Sequence, residues 1–308
     1  MAAYRSHVAS VEDGIAGSDT DPPIDHAFEP AGFVVLVEPG DRIHFLDWAG
    51  SAPSADGAGV VLIHGLAGSA WAWAAVARRL RSVARTIAMD IRGHGLSDAP
   101  TSPGAYELPI LASDVVAVAE GSGAIPGDGG GVVLVGHGFG AIVGAAAAAR
   151  LGHRCRRLVL VDGGLDDLST TTGMDVDEFL RGLDEPPEIM RSMTAYLADR
   201  RAWDPPTWDA DQERAARAAV VETPAGRLVG ATRPHALEAC VRTMFAYEPA
   251  TVLPAVRAPI VVIRQGGGPP IDPAAIGGAE IATIDVTAPG HNLLRYRPAE
   301  VAAAIVGR

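Results

Sequence analysis

The chain has 308 residues, 48% hydrophobic and 20% charged, a balance suited to a globular protein with a substantial core. A net charge of −12 removes the electrostatic footprint of a nucleic-acid binder and opposes adhesion to anionic membranes. The two cysteines, Cys155 and Cys240, make no disulfide framework and read as buried thiols of a reducing compartment.

In chain order, residues 1–30 form a polar, loose leader with acidic residues and no apolar signal core, so the expected location is cytoplasmic. Residues 33–37 and 42–47 read as two strands joined by the turn Glu38-Pro39-Gly40-Asp41. A Gly/Ala/Ser/Pro loop at 51–59 leads to a buried strand, 60–63, that ends in His64-Gly65-Leu66-Ala67-Gly68-Ser69. Apolar spacing predicts a helix over 71–80. A strand at 86–89 then opens onto Asp90-Ile91-Arg92-Gly93-His94-Gly95-Leu96-Ser97-Asp98. A helix at 108–119 and a glycine-rich connector follow.

Next comes the strand Val132-Val133-Leu134-Val135, the turn Gly136-His137-Gly138-Phe139-Gly140 and an alanine-rich helix to Leu151. Residues 131–149 lack formal charge and approach the length of a membrane span. Their central glycines and His137 favour a buried strand feeding a buried helix. A further strand at 157–161 ends at Asp162. Between 165 and 249 the period is helical and no buried strand is expected. Strands resume at 259–263 and 280–285, and a closing helix spans 298–306.

Strands alternating with helices imply an α/β fold with a doubly wound, mostly parallel sheet. Residues 31–164 and 250–308 would form the core, and 165–249 an inserted helical block. Several ordered motifs accompany this pattern: His64-Gly65 with Trp71 and Trp73 downstream, the Asp90–Asp98 segment, the turn at 136–140, and Gly290-His291-Asn292-Leu293 before the last helix. In these motifs the chain resembles the α/β-hydrolase family from residue 33 to 307.

The resemblance implies a helical cap over the carboxyl ends of the strands, with a pocket between. It implies that His291 is the catalytic histidine and that the backbone N–H groups of Leu66 and Phe139 form an oxyanion hole. The turn at 136–140 corresponds to the family's nucleophile elbow, Gly-x-Ser-x-Gly, with Gly138 where the serine belongs. The carboxylate behind His291 is either Asp162, at a strand end, or Asp272, in the loop after the next strand; the sequence leaves both open, and neither as a third case.

Loss of a triad serine costs about 10⁶-fold in turnover, so ordinary acyl-enzyme hydrolysis is not expected. Ser69 reads as a helix cap and neither cysteine has an activating motif. Three readings follow. His291 could act as base or acid with the oxyanion hole in lyase, cyclisation, isomerisation or water-addition chemistry. The chain could be a non-catalytic binding pseudoenzyme. Or it could be a hydrolase working through His-activated water or carrying an engineered replacement.

His94 and Arg92 read as buttresses, His137 as packed beneath the turn, and His64 as a local hydrogen-bonding residue. His44, His153 and His235 lack metal spacing, and no cofactor or metal is expected. Trp71, Met190, Met193, Trp203 and Phe245 are candidates for an adaptable apolar pocket, against the alternative that they only glue helices together. The expected partner is a neutral, fairly hydrophobic small molecule with a carbonyl, ester, lactone or epoxide-like group, with neither nucleic acid nor membrane.

Overall fold

The computed structural model describes residues 25–50, 58–127, 129–183, 188–268 and 270–307. Most of the expected leader, and all but the end of the loop at 51–59, lie outside the described residues.

The first half of the chain alternates as the pattern demands. An edge hairpin of β1 (Ala31–Val37) and β2 (Asp41–Asp47) precedes β3 (Gly59–Ile63). The helix expected over 71–80 is split into a 3₁₀ turn, Ala70–Trp73, and α1 (Ala74–Leu80). Then come β4 (Thr86–Met89), α2 (Leu108–Gly121), β5 (Val132–His137), α3 (Phe139–Leu151) and β6 (Cys155–Val161). The charge-poor stretch 131–149 is therefore a strand and a separate helix. No helix among the described residues is long and apolar enough to cross a membrane.

Between β6 and β9 lie α4 (Leu168–Thr172), α5 (Val176–Gly182), α6 (Met193–Trp203) and α7 (Ala210–Ala218). The hairpin β7 (Val220–Glu222) and β8 (Leu228–Gly230), then α8 (Pro234–Phe245) and α9 (Pro249–Val252), complete this insertion. The hairpin corrects the all-helical expectation. Its strands have three residues each, too few for an alternating pattern to register, although Val220 and Leu228 are buried. Helix starts follow local chemistry: Asp167, Ser192 and Asp209 accept backbone N–H bonds as N-caps, and Asp175 forms a capping box with Glu178. The chain closes with β9 (Ile260–Gln265), β10 (Ile281–Val286), α10 (Leu293–Tyr296) and α11 (Pro298–Val306).

The eight-stranded sheet runs β1-β2-β4-β3-β5-β6-β9-β10, antiparallel at the β1–β2–β4 side and parallel from β4 onward. Its central strands are apolar on both faces because both are covered. Val61 and Ile63 of β3 pack with Leu134, Leu160 and residues of α2 and α3. Val60 and Leu62 point the other way, into a layer with Trp48, Trp73, Leu80, Val301 and Ile305. Period-two alternation thus divides one sheet between two helical layers. The insertion has a small core of its own around Tyr196, Val220 and Leu228.

Two buried arginines tie the insertion to this frame. Arg78 of α1 meets Asp211 of α7 at 3.0 Å, with both side chains buried. Arg295 of α10 donates to Asp204 O at 2.7 Å, Arg200 O at 3.3 Å and Thr207 Oγ1 at 2.7 Å. Those carbonyls end α6, where helix C=O groups lack internal partners and attract cations.

Candidate active site

The turn from β5 into α3 is too tight for side chains at its flanks. A Cβ on Gly136 would stand 2.1 Å from Gly140 O, and one on Gly140 2.2 Å from Ile63 O. Gly138, between them, has φ 53° and ψ −116°, a conformation that L side chains rarely adopt. Yet the space beside it is open. A Cβ there would meet His291 Nε2 at 3.5 Å and Gly65 Cα at 3.9 Å, ordinary contact distances.

His291 arrives from the loop after β10. Its Nδ1 lies 2.7 Å from Asp162 Oδ2, with the imidazole 64% exposed and the carboxylate 17%. Asp162 ends β6 in the left-handed region (φ 47°), its N–H bonded to Ile263 O at 2.8 Å. Gly163 lets this loop press against the turn, since a Cβ there would be 2.7 Å from Gly138 Cα. Nearby, the Asp166 carboxyl is raised above the ordinary range by burial and by the Asp162 charge. Asp272, the other candidate acid, is not behind His291. It is exposed, and its carboxylate accepts the N–H of Ala274 at 2.9 Å, closing its own turn.

The amides of Leu66 and Phe139 have no hydrogen-bond acceptor among the described residues. Phe139 opens α3, so its N–H also stands at the positive end of a helix. The Leu66 loop is held from behind. His64 Nδ1 donates to Gly65 O at 2.7 Å and its Nε2 accepts the N–H of Ile91 at 3.0 Å, which fixes the tautomer. Burial lowers the His64 pKa and pushes His94 down to about 3, so both rings are neutral supports.

Asp90 accepts His44 Nδ1 at 2.8 Å and the N–H groups of Ala70 and Leu96 at 2.7 and 3.0 Å. Arg92 is buried between Asp114 and Asp41. The Asp90–Asp98 segment is thus a scaffold for the loop. Ser69 precedes the 3₁₀ turn as expected but makes no cap bond; its buried hydroxyl has no partner among the described residues.

The five candidate pocket residues do not share one environment. Trp71 packs edge-on to Trp48 at 6.0 Å, with Arg214 over its ring at 4.5 Å. Met190 and Met193 pack against the insertion's own core. Trp203 is 61% exposed beneath the Arg200 guanidinium, and Phe245 meets Phe179 edge to face at 5.5 Å. None of the five lines the 260 Å³ cavity beside Gly95 and Arg233, or the 320 Å³ one between α2, α3 and α9. Among the described residues no cluster of His, Cys, Asp and Glu could hold a metal ion. Arg295 was not among the residues that sequence reasoning singled out; being four residues past His291, on the next helix, is its sole signal.

Comparisons with known proteins agree with this geometry at the level of fold. Residues matched to the curated relatives are a part of each: 33% identity to an N-formylmaleamate deformylase of Pseudomonas putida covers 40% of this chain and 42% of that protein. For Esterase PIR7B of Oryza sativa the figures are 32%, 39% and 44%, and for Epoxide hydrolase 4 of Mus musculus 25%, 42% and 34%. The chain thus spans less than half the length of these relatives.

Among solved structures, E-2-(acetamidomethylene)succinate hydrolase superposes with TM-score 0.72 at 21% identity, covering 91% of this chain and 98% of that one. The bottromycin epimerase BotH, in complex with bottromycin A2, gives 0.61 at 19%, covering 90% and 98%. The family model described as "Alpha/beta hydrolase family" matches residues 60–304, and with most of its length inside that match the chain belongs to the alpha/beta hydrolase family.

Proposed function

We propose that this chain is an enzyme that uses the α/β-hydrolase site without a covalent nucleophile, with His291 as general base and acid and Asp162 as its orienting carboxylate. The observation that carries this reading is the 2.7 Å Asp162–His291 pair, whose Nε2 stands 3.5 Å from a Cβ position that Gly138 leaves empty. A base oriented by a carboxylate, an open volume before it and free amides beside it are the parts needed for proton transfer next to a carbonyl.

In this mechanism substrate occupies the space above Gly138 under the insertion, which acts as a cap. His291 Nε2 takes a proton from the carbon adjacent to the carbonyl, or from a water. The negative charge gathering on oxygen is received by the Leu66 and Phe139 amides. Asp162 keeps Nδ1 protonated and stabilises the imidazolium. The proton then returns to carbon, giving epimerisation or isomerisation, or goes to a leaving group, giving elimination or ring closure. With water as the nucleophile, the same parts give hydration or hydrolysis.

The hydrolases among the relatives are consistent with carbonyl, amide or epoxide substrates. A neighbour named as an epimerase is consistent with a fold not confined to hydrolysis. The test is a fluorophosphonate probe together with deuterium exchange at the α-carbon of a panel of hydrophobic ketones and thioesters. The wild type is expected to resist labelling and to catalyse exchange that His291→Ala abolishes. Stoichiometric labelling of the wild type, or exchange indifferent to His291, contradicts the proposal.

A further inference from the structure

We propose that His137 is a positioning residue that sets the His291 ring against Asp162, holding the loop at 287–292 through the main chain. The inference rests on the reading of Asp162 and His291 given above. His137 is the last residue of β5 and touches three parts of the site at once. Its Nε2 lies 3.3 Å from the carbonyl oxygen of His291, which also accepts the N–H of Leu293 at 2.9 Å. Its ring leans on that of His291, with centroids 4.9 Å apart and planes 35° from parallel. Its Nδ1 faces the oxyanion loop, where a Cβ on Gly65 would stand 3.0 Å away. A side chain beside a glycine turn is thus wedged between the Leu66 loop and the His291 loop, one residue from Gly138.

The contact dictates a protonation state. A carbonyl oxygen accepts, so Nε2 of His137 carries the hydrogen and Nδ1 is bare when the ring is neutral. Burial, then the neighbouring His291, push the His137 imidazole down to about 4, so the ring stays neutral while His291 gains and loses its proton. A second cation at this distance would oppose the imidazolium that catalysis requires. The His137 N–H instead anchors the residue whose side chain must reach Asp162. Asp162 is fixed independently, by its own N–H on Ile263 O, so the His291 loop is the half of the pair that needs holding.

The readout is the tautomer of His291, measured by ¹⁵N–¹H NMR at a pH where its ring is neutral. In the wild type the hydrogen is expected on Nδ1, facing Asp162. His137→Phe keeps a ring but loses the donor, and is expected to shift the Nδ1–H to Nε2–H ratio about fivefold to tenfold toward Nε2–H, the range of one lost hydrogen bond. His137→Gln places an amide N–H near the old Nε2 and should restore the ratio; His137→Asn is too short and should not. The Gln and Asn pair decides the matter if the Phe variant fails to fold, and a thermal melt of each separates stability from position.

Phe and Asn variants with the wild-type ratio overturn the proposal, as does a Gln variant as shifted as the Phe one. A wild-type His291 with its hydrogen on Nε2 overturns the Asp162–His291 reading as well. The measurement needs no turnover, so a protein without activity still answers it.

Discussion

Asp162 is held at φ 47°, a region that non-glycine residues enter at a cost of about 1–3 kcal/mol. That strain aims its carboxylate at His291 Nδ1, while Asp272 bonds only to its own turn. Asparagine tolerates the same backbone, so Asp162→Asn isolates the charge. In a Gly138→Ser background that hydrolyses an activated ester, Asp162→Asn is expected to lower kcat by about 10⁴-fold, the scale of a wrongly held tautomer. Asp272→Asn is expected to leave it unchanged. Equal effects of the two would reject the assignment. Serine at 138 has room, but its φ 53°, ψ −116° backbone should cost about 1–3 kcal/mol, read as a lower urea midpoint.

Among elements, the insertion is fixed to the frame by polar contacts that are buried. Arg78 and Asp211 bridge α1 and α7 with both side chains out of solvent. Removing one partner leaves an uncompensated charge, so Arg78→Met is expected to cost about 3–5 kcal/mol. The double variant Arg78→Met/Asp211→Leu should recover much of that, because the stranded carboxylate is gone. Urea unfolding followed by tryptophan fluorescence reads both. A single variant within about 0.5 kcal/mol of wild type, the range of ordinary surface changes, would show that the pair does not hold α7. Arg295 plays the corresponding part at α10. It satisfies the carbonyl end of α6 from the helix that follows His291.

For the whole molecule, acid is the natural probe. Burial lowers the His64 pKa, and holds His94 and His137 near about 3 and 4, against 6.5 for a free imidazole. Below pH 6.5 the unfolded chain takes up protons that the folded one refuses. Stability is therefore full above about 6.5 and falls as pH drops toward 4. Between about pH 6.5 and 5, above the ordinary carboxylate range, the fall belongs to the histidines. A urea midpoint flat between pH 7 and 4.5 would contradict the buried neutral rings.

The sheet and its mostly parallel order were legible because each rests on local pattern, β-branched runs and tight glycine turns; the motif before the last helix marked His291 as a candidate. Three features were not. Choosing between Asp162 and Asp272 needs the distance between two loops far apart in sequence. The β7–β8 hairpin is too short for a period. Arg295 is an arginine like any other until α6 ends against it. The candidate pocket residues failed to converge for a related reason, since apolar spacing marks burial without saying against what.

On the proposed reading, the site lacks an attacking atom and little else. Gly138→Ser tests it most directly, through the hydrolysis of an activated ester and titration with a fluorophosphonate. One equivalent of label on the introduced serine, with turnover that disappears in Gly138→Ser/His291→Ala, is the predicted result. A folded Gly138→Ser protein that neither labels nor turns over would show that His291, Asp162 and the two amides do not form a poised site.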